Sequence, residues 1–185
     1  MQPAIRLVPW HTDELLSRLE DVIQVYGQAM RYPAEVLETR RGYMTGHAWR
    51  PGFRAVATLG DDNALLGFGY GYPSTAGQWW HDQVRSAVPR DARQAWLSNC
   101  FELVELHVHP ACQGHGIGQW QLQALLAGVP NRTVLLSTPE ADETASRAWR
   151  LYRRLGFVDV LRGFFFPGDE RAFAVLGRVL PLAPG

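Results

Sequence analysis

The chain has 185 residues, about one domain's worth and enough to bury roughly 70 % of its unfolded surface. Its 46 % apolar and 19 % charged content excludes a disordered chain. Eighteen basic residues balance eighteen acidic ones, so a nucleic-acid partner is not favoured and any anion site must be local.

Met1 to Trp10 lacks a basic start followed by an apolar run, and no segment approaches the ~18 apolar residues of a membrane span. A cytoplasmic protein that neither crosses nor enters a membrane is therefore expected. Cys100 and Cys112 bracket a predicted strand that holds them beyond disulfide reach, which fits a reducing compartment.

In chain order, Ala4 to Val8 predicts a short strand. Leu15, Leu16, Leu19, Val22, Ile23 and Tyr26 then recur at helical spacing behind a cap at Thr12 or Asp13. Pro33 opens a second helix, which Gly42 and Gly46 are expected to interrupt. Phe53 to Leu59 and Ala64 to Tyr72 read as a hairpin around Gly60-Asp61-Asp62-Asn63. From Pro73 to Leu97 the pattern dissolves into a Trp-containing insert whose helices cannot be placed. Phe101 to Val108 is a strand, Ile117 to Ala127 a helix, Thr133 to Leu136 a strand and Glu143 to Leu155 a helix. Two strands, Val158 to Phe166 and Arg171 to Val179, follow around Pro167-Gly168-Asp169.

The chemistry concentrates where a strand runs through Gln113-Gly114-His115-Gly116-Ile117-Gly118 into a helix. Glycines there let the backbone turn sharply and aim several N–H groups at one anion, which the positive end of the helix also attracts. A Walker A loop requires lysine, and the chain has none. A dinucleotide fingerprint starting at Gly114 would need its third glycine where Gln119 stands. A pyrophosphate cradle remains.

Read as Q-x-x-G-x-G after Leu106-His107-Val108-His109-Pro110, this loop resembles the acetyl-CoA motif of the GNAT superfamily of N-acetyltransferases. Ala148-Trp149-Arg150-Leu151-Tyr152-Arg153-Arg154-Leu155-Gly156-Phe157 is similar to its second signature, A-x-x-L-Y-x-x-x-G-F. The resemblance implies an α/β (α+β) fold in a single domain over 1–185. Its mixed, mostly antiparallel sheet would have about seven strands, splayed at the cofactor site and flanked by about four helices. It also implies a cofactor core over 100–157, with acceptor-side elements in 1–52 and 73–98.

By the same resemblance, acetyl-CoA is the cosubstrate. Its pantetheine would pair with the backbone of Leu106, His107 and Val108, and its pyrophosphate with Gln113, Gly114, His115, Gly116, Ile117 and Gly118. Family members often carry Asn where this chain has Ala145, and Ser146 or Thr144 is the candidate substitute.

Acyl transfer to an alkyl amine needs the neutral amine, only roughly one part in 2,500 at pH 7, a deficit of about 4.6 kcal/mol that a positioned base offsets. Glu102 is the first candidate: alternation puts it on one strand face with Val104, Leu106 and Val108. It looks like the position that carries the base in several family members. Glu105, on the opposite face, is the second, because a bulge would reverse that parity. For either, a carboxylate merely paired with an arginine is the competing reading.

The resemblance makes Tyr152 the acid that protonates the departing sulfur; a Tyr packed on the core is the alternative. His107, His109 and His115 lack the spacing of a metal site, so no metal is expected. Cys112 lacks a located His partner for a nucleophile's role.

For the acceptor, Tyr26, Tyr32, Tyr72, Trp79 and Trp80 can form an aromatic wall, though such residues are equally core anchors. His81 and Asp82 adjoin the two tryptophans and could orient an amine. The expected activity is acetyl transfer to a primary amine of a small molecule or peptide. A non-catalytic acyl-CoA-binding or ligand-sequestering module and a transferase of longer acyl chains are the alternatives. The oligomeric state is left open, a homodimer among its options.

Overall fold

The computed structural model describes residues 5–183. They form a seven-stranded sheet in the order β1-β2-β3-β4-β5-β7-β6. The strands are β1 (Arg6–Trp10), β2 (Arg54–Leu59), β3 (Leu65–Ser74), β4 (Cys100–Val108), β5 (Thr133–Pro139), β6 (Val158–Phe164) and β7 (Phe173–Val179). The pair β4/β5 is parallel, whereas β1/β2, β2/β3, β5/β7 and β6/β7 are antiparallel. This is the mixed, mostly antiparallel sheet expected from the sequence.

Seven α-helices occur among the described residues, against the four or so expected: α1 (Thr12–Ser17), α2 (Leu19–Met30), α3 (Ala34–Ala48), α4 (Trp79–Ala87), α5 (Arg90–Trp96), α6 (Ile117–Leu126) and α7 (Arg147–Arg154). The predicted first helix is two, broken at Arg18. Neither Gly nor Pro marks the break; the Ser17 hydroxyl bonds the Glu14 carbonyl and the Arg18 guanidinium bonds the Asn63 carbonyl.

Gly42 and Gly46 do not interrupt α3, which runs through both to Ala48. A glycine costs a helix only about 1 kcal/mol, and packing of Met44 and Ala48, both fully buried, outweighs it. The predicted helix from Glu143 begins only at Arg147. Asp142 takes the N–H groups of Thr144 and Ala145 into a turn, and the Ser146 hydroxyl accepts the Trp149 N–H as N-cap. The strand expected over Ala4 to Val8 lies at Arg6–Trp10, and Ala4 falls outside the described residues.

The chain forms two compact units, one of residues 5–72 with Glu105–Leu126 and one of Pro73–Val104 with 127–183. The first holds the hairpin β2/β3, whose turn places Asn63 at φ 64° and returns the Gly60 N–H to the Ala64 carbonyl. Leu15, Val22, Tyr26, Phe68, Leu122 and Leu125 are among its buried side chains. In the second, the unplaced insert supplies α4 and α5. Trp80, Val84, Val88 and Leu97 from that stretch share a cluster with Cys100, Leu135, Phe166 and Val175. There β4 and β5 are in register only from Cys100–Glu102 against Thr133–Leu135, although β5 continues to Pro139.

Candidate active site

In the first unit β4 delivers the chain into the glycine loop. The His109 N–H bonds the Leu66 carbonyl at 2.7 Å, and Pro110–Cys112 make one 3-10 turn that replaces the ladder the proline ends. Gln113 then reaches back, its Nε2 donating to the Val108 carbonyl at 3.0 Å, and His115 Nδ1 lies 3.3 Å from the Cys112 carbonyl oxygen. Gly114 and Gly116 have φ of 85° and 81°, which only glycine adopts without strain.

The helical ladder starts from the Gly116 carbonyl, which accepts the Trp120 N–H. The N–H groups of the first turn of α6 therefore lack intrahelical partners. Gly114, His115 and Gly116 are exposed, Gly118 is half-buried and Ile117 is buried as the anchor. An exposed turn of glycines at the head of a ten-residue helix fits a pyrophosphate: its N–H groups are accessible, and a Cβ at Gly116 would meet open space.

Gln121, one turn into α6 and fully buried, fixes this helix to the strands. Its Oε1 accepts from Thr58 Oγ1 at 2.8 Å, and its Nε2 donates to the carbonyls of Phe68 and His107 at 3.3 Å each. Neighbouring side chains of β4 alternate as expected. Leu106 lies beside Gly69 and Leu125, whereas Glu105 and His107 meet residues of α2 and α3.

Glu105 is 8 % exposed; its Oε2 lies 2.5 Å from His107 Nε2, and its Oε1 lies 3.7 Å from Arg40 of α3. The His107 ring meets Tyr26 edge-on at 5.1 Å, and Tyr26 in turn packs at 5.7 Å on Tyr32. Burial, reinforced by the Glu105 charge, holds the Tyr26 phenol far above its ordinary range, so it stays protonated. Burial works against the Arg40 charge, but Glu105 and the tyrosines around it outweigh burial and raise its pKa.

Along the same helix His47 bonds the Tyr70 hydroxyl at 2.9 Å, and burial, with Arg50 adding, lowers its pKa to about 4. Arg50 donates to the Tyr72 hydroxyl at 2.5 Å and lies over that ring. Tyr26 and Tyr72 thus belong to a polar, aromatic cluster that includes Arg40, His47 and Arg50, three residues the sequence reading assigned no role. For Arg40 and His47 the signal was their i, i+7 spacing, with Met44 between them, visible once α3 is read through Gly42; Arg50 lies beyond the helix.

In the second unit Glu102 is 5 % exposed on β4 and Tyr152 is 8 % exposed on α7, its ring 5.7 Å from Phe157. An ion-pair web fixes that helix. Arg153 bonds Glu143 and Asp159, Arg162 bonds Glu140 and Asp159, and the two guanidinium groups lie 5.1 and 4.9 Å from the Trp149 ring. Ser146 is occupied as the cap of α7.

Trp80 belongs to the core cluster, its indole N–H on the Ser137 hydroxyl at 3.1 Å, while Trp79 is 54 % exposed against Phe166. His81, its pKa lowered by burial, pairs with Ser74, and Asp82 is turned toward the Gly77 N–H. Among the described residues no group of three or more His, Cys, Asp or Glu is arranged to hold a metal ion. No helix among them is long and apolar enough to cross a membrane.

Residues 19–157 match the model of the acetyltransferase (GNAT) family. The chain belongs to this family. It is 43 % identical, over 97 % of its length and all of the relative's, to the GCN5-like protein acetyltransferase Rv2170 of Mycobacterium tuberculosis. In fold it resembles the PaiA N-acetyltransferase of Thermoplasma acidophilum in complex with coenzyme A, with a TM-score of 0.62 at 14 % identity, covering 96 % of this chain and 99 % of the other. It likewise resembles NAA60 of Arabidopsis thaliana in complex with acetyl-CoA, with a TM-score of 0.61 at 19 % identity, covering 96 % and all of the two chains. As a GNAT member the chain is of the acyl-CoA-dependent transferase class.

Proposed function

We propose that this GNAT protein transfers an acetyl group from acetyl-CoA to a primary amine, and that the amine is a lysine-type side chain on a peptide or protein. The observation that carries the donor half is the loop from Gln113 to Gly118, with its two left-handed glycines at the head of α6. The name of the Mycobacterium tuberculosis relative, a protein acetyltransferase, favours a macromolecular amine. Bound acetyl-CoA supplies the activated acyl group.

The protein's own residues have the remaining tasks. The loop N–H groups hold the pyrophosphate, and the backbone of Leu106, His107 and Val108 aligns the pantetheine. A β4 carboxylate takes the amine proton, and Tyr152 gives one to the departing sulfur. Between the two carboxylates we favour Glu105: Oε2 is fixed by His107, so Oε1, 3.7 Å from Arg40, is presented in a defined direction. Glu102 is the comparison.

The test is steady-state turnover on lysine-bearing peptides, with release of free thiol as the readout. Glu105→Gln should lower kcat by about 10²-fold or more with acetyl-CoA affinity unchanged, and Tyr152→Phe should do the same in smaller measure. A large loss in Glu102→Gln with Glu105→Gln near normal would reverse the assignment. Thiol release on no lysine, N-terminal or polyamine acceptor would refute the reaction.

A further inference from the structure

Arg40 is a half-buried guanidinium held without a short ion pair. Its ζ-carbon lies 5.5 Å from the Tyr26 ring centre and 6.0 Å from that of Tyr43, and its Nη1 is 3.7 Å from Glu105 Oε1. That last separation exceeds a hydrogen bond, so Arg40 does not grip Glu105 through the bidentate fork that makes arginine–carboxylate pairs strong. A carboxylate and two aromatic faces around one positive charge are instead the parts by which proteins recognise an ammonium.

The two oxygens of Glu105 are not equivalent. Oε2 is engaged by His107 at 2.5 Å, whereas Oε1 faces Arg40. The arginine side chain is 36 % exposed and Tyr43 is 57 % exposed, so this cation place opens to solvent past Tyr43. A buried carboxylate left without a positive charge is strongly penalised, and Arg40 meets that need when no acceptor is present.

Resting on the acetyl-transfer reading above, we propose that Arg40 is a resident stand-in for the acceptor. The ammonium of a lysine-type amine takes its place at Glu105 Oε1 beside Tyr26 and Tyr43, and the guanidinium turns out past Tyr43. Exchanging one cation for another keeps Glu105 compensated throughout. Acetylation then turns the amine into a neutral amide, which no longer competes with Arg40, so the return of the guanidinium favours product release. The acceptor class that follows is a cation on a slender, unbranched stem; an anionic or bulky amine does not fit the exchange.

Three variants and one small probe test this. Arg40→Met keeps the stem and removes the charge; its KM for a lysine-bearing peptide should fall roughly three- to tenfold. Arg40→Ala opens the place, and methylguanidinium should raise its Tm without acetyl-CoA present, with no such gain in wild type or in Arg40→Ala/Glu105→Gln. In Arg40→Ala the same probe should inhibit competitively against the peptide.

A raised KM in Arg40→Met at unchanged kcat would overturn the proposal, because Arg40 would then bind the acceptor. Equal Tm responses in the three proteins would overturn it as well. If methylguanidinium stabilises Arg40→Ala through Glu105 while no amine is acetylated, the cation place stands and the proposed reaction falls.

Discussion

Gly67 lies so close to Gln121 that a β-carbon on the glycine would stand 2.4 Å from Gln121 Oε1 and 2.8 Å from the carbonyl oxygen of His107. The glycine on β3 is therefore what lets the buried amide of α6 bond two strand carbonyls and Thr58 at once. Gly67→Ala is expected to destabilise the protein by about 1–3 kcal/mol, because the clash includes backbone. Gln121→Leu, which strips three buried hydrogen bonds, should lose a similar amount or more. Urea denaturation measures both, and an unchanged midpoint in both variants would show that this junction is slack.

Gly42 sits exposed within α3, and a β-carbon there would meet nothing within 4 Å. Gly42→Ala should therefore stabilise the protein by about 0.5–1 kcal/mol through helix propensity and a less disordered unfolded chain. Thermal denaturation reads the gain. A loss would mean that the glycine has a purpose that packing does not reveal.

His47 is neutral in the folded protein down to about pH 4, against an ordinary value of 6.5. Between those values the unfolded chain binds more protons than the folded one, so stability falls as pH falls through this window. For His47 that is on the order of 2–3 kcal/mol. His47→Gln, which can still bond the Tyr70 hydroxyl, should show a shallower loss from pH 6.5 to 4 in denaturant titrations; parallel curves would remove His47 as the cause.

Gly116 has φ of 81° with open space where a β-carbon would go, so alanine there meets backbone strain and no clash. Gly116→Ala should weaken acetyl-CoA about tenfold by distorting the loop, and Gly116→Trp should abolish binding by filling the cradle. Calorimetry with acetyl-CoA checks both, independently of turnover. Normal affinity in the tryptophan variant would place the pyrophosphate elsewhere.

The loop proposed for the donor was legible in the sequence alone. A phosphate loop is a local device: glycines at Gly114 and Gly116 and a following helix suffice, and their spacing is written in consecutive residues. Strand positions were legible for the same reason, since alternation and turn residues such as Gly60 to Asn63 act over a few neighbours. The helices were less so. Helix α3 passes through two glycines because Met44 and Ala48 are buried, and α7 starts late because Asp142 folds the preceding residues into a turn.

The place proposed for the acceptor could be read only from the tertiary structure. The surroundings of Glu105 come from α2, α3 and β4, far apart in the chain, and no local pattern states that Arg40 and His107 will share its two oxygens. Trp80 and Trp79, adjacent in sequence, part company because one faces the core cluster and the other solvent. Charge pairing and burial depend on which distant elements meet.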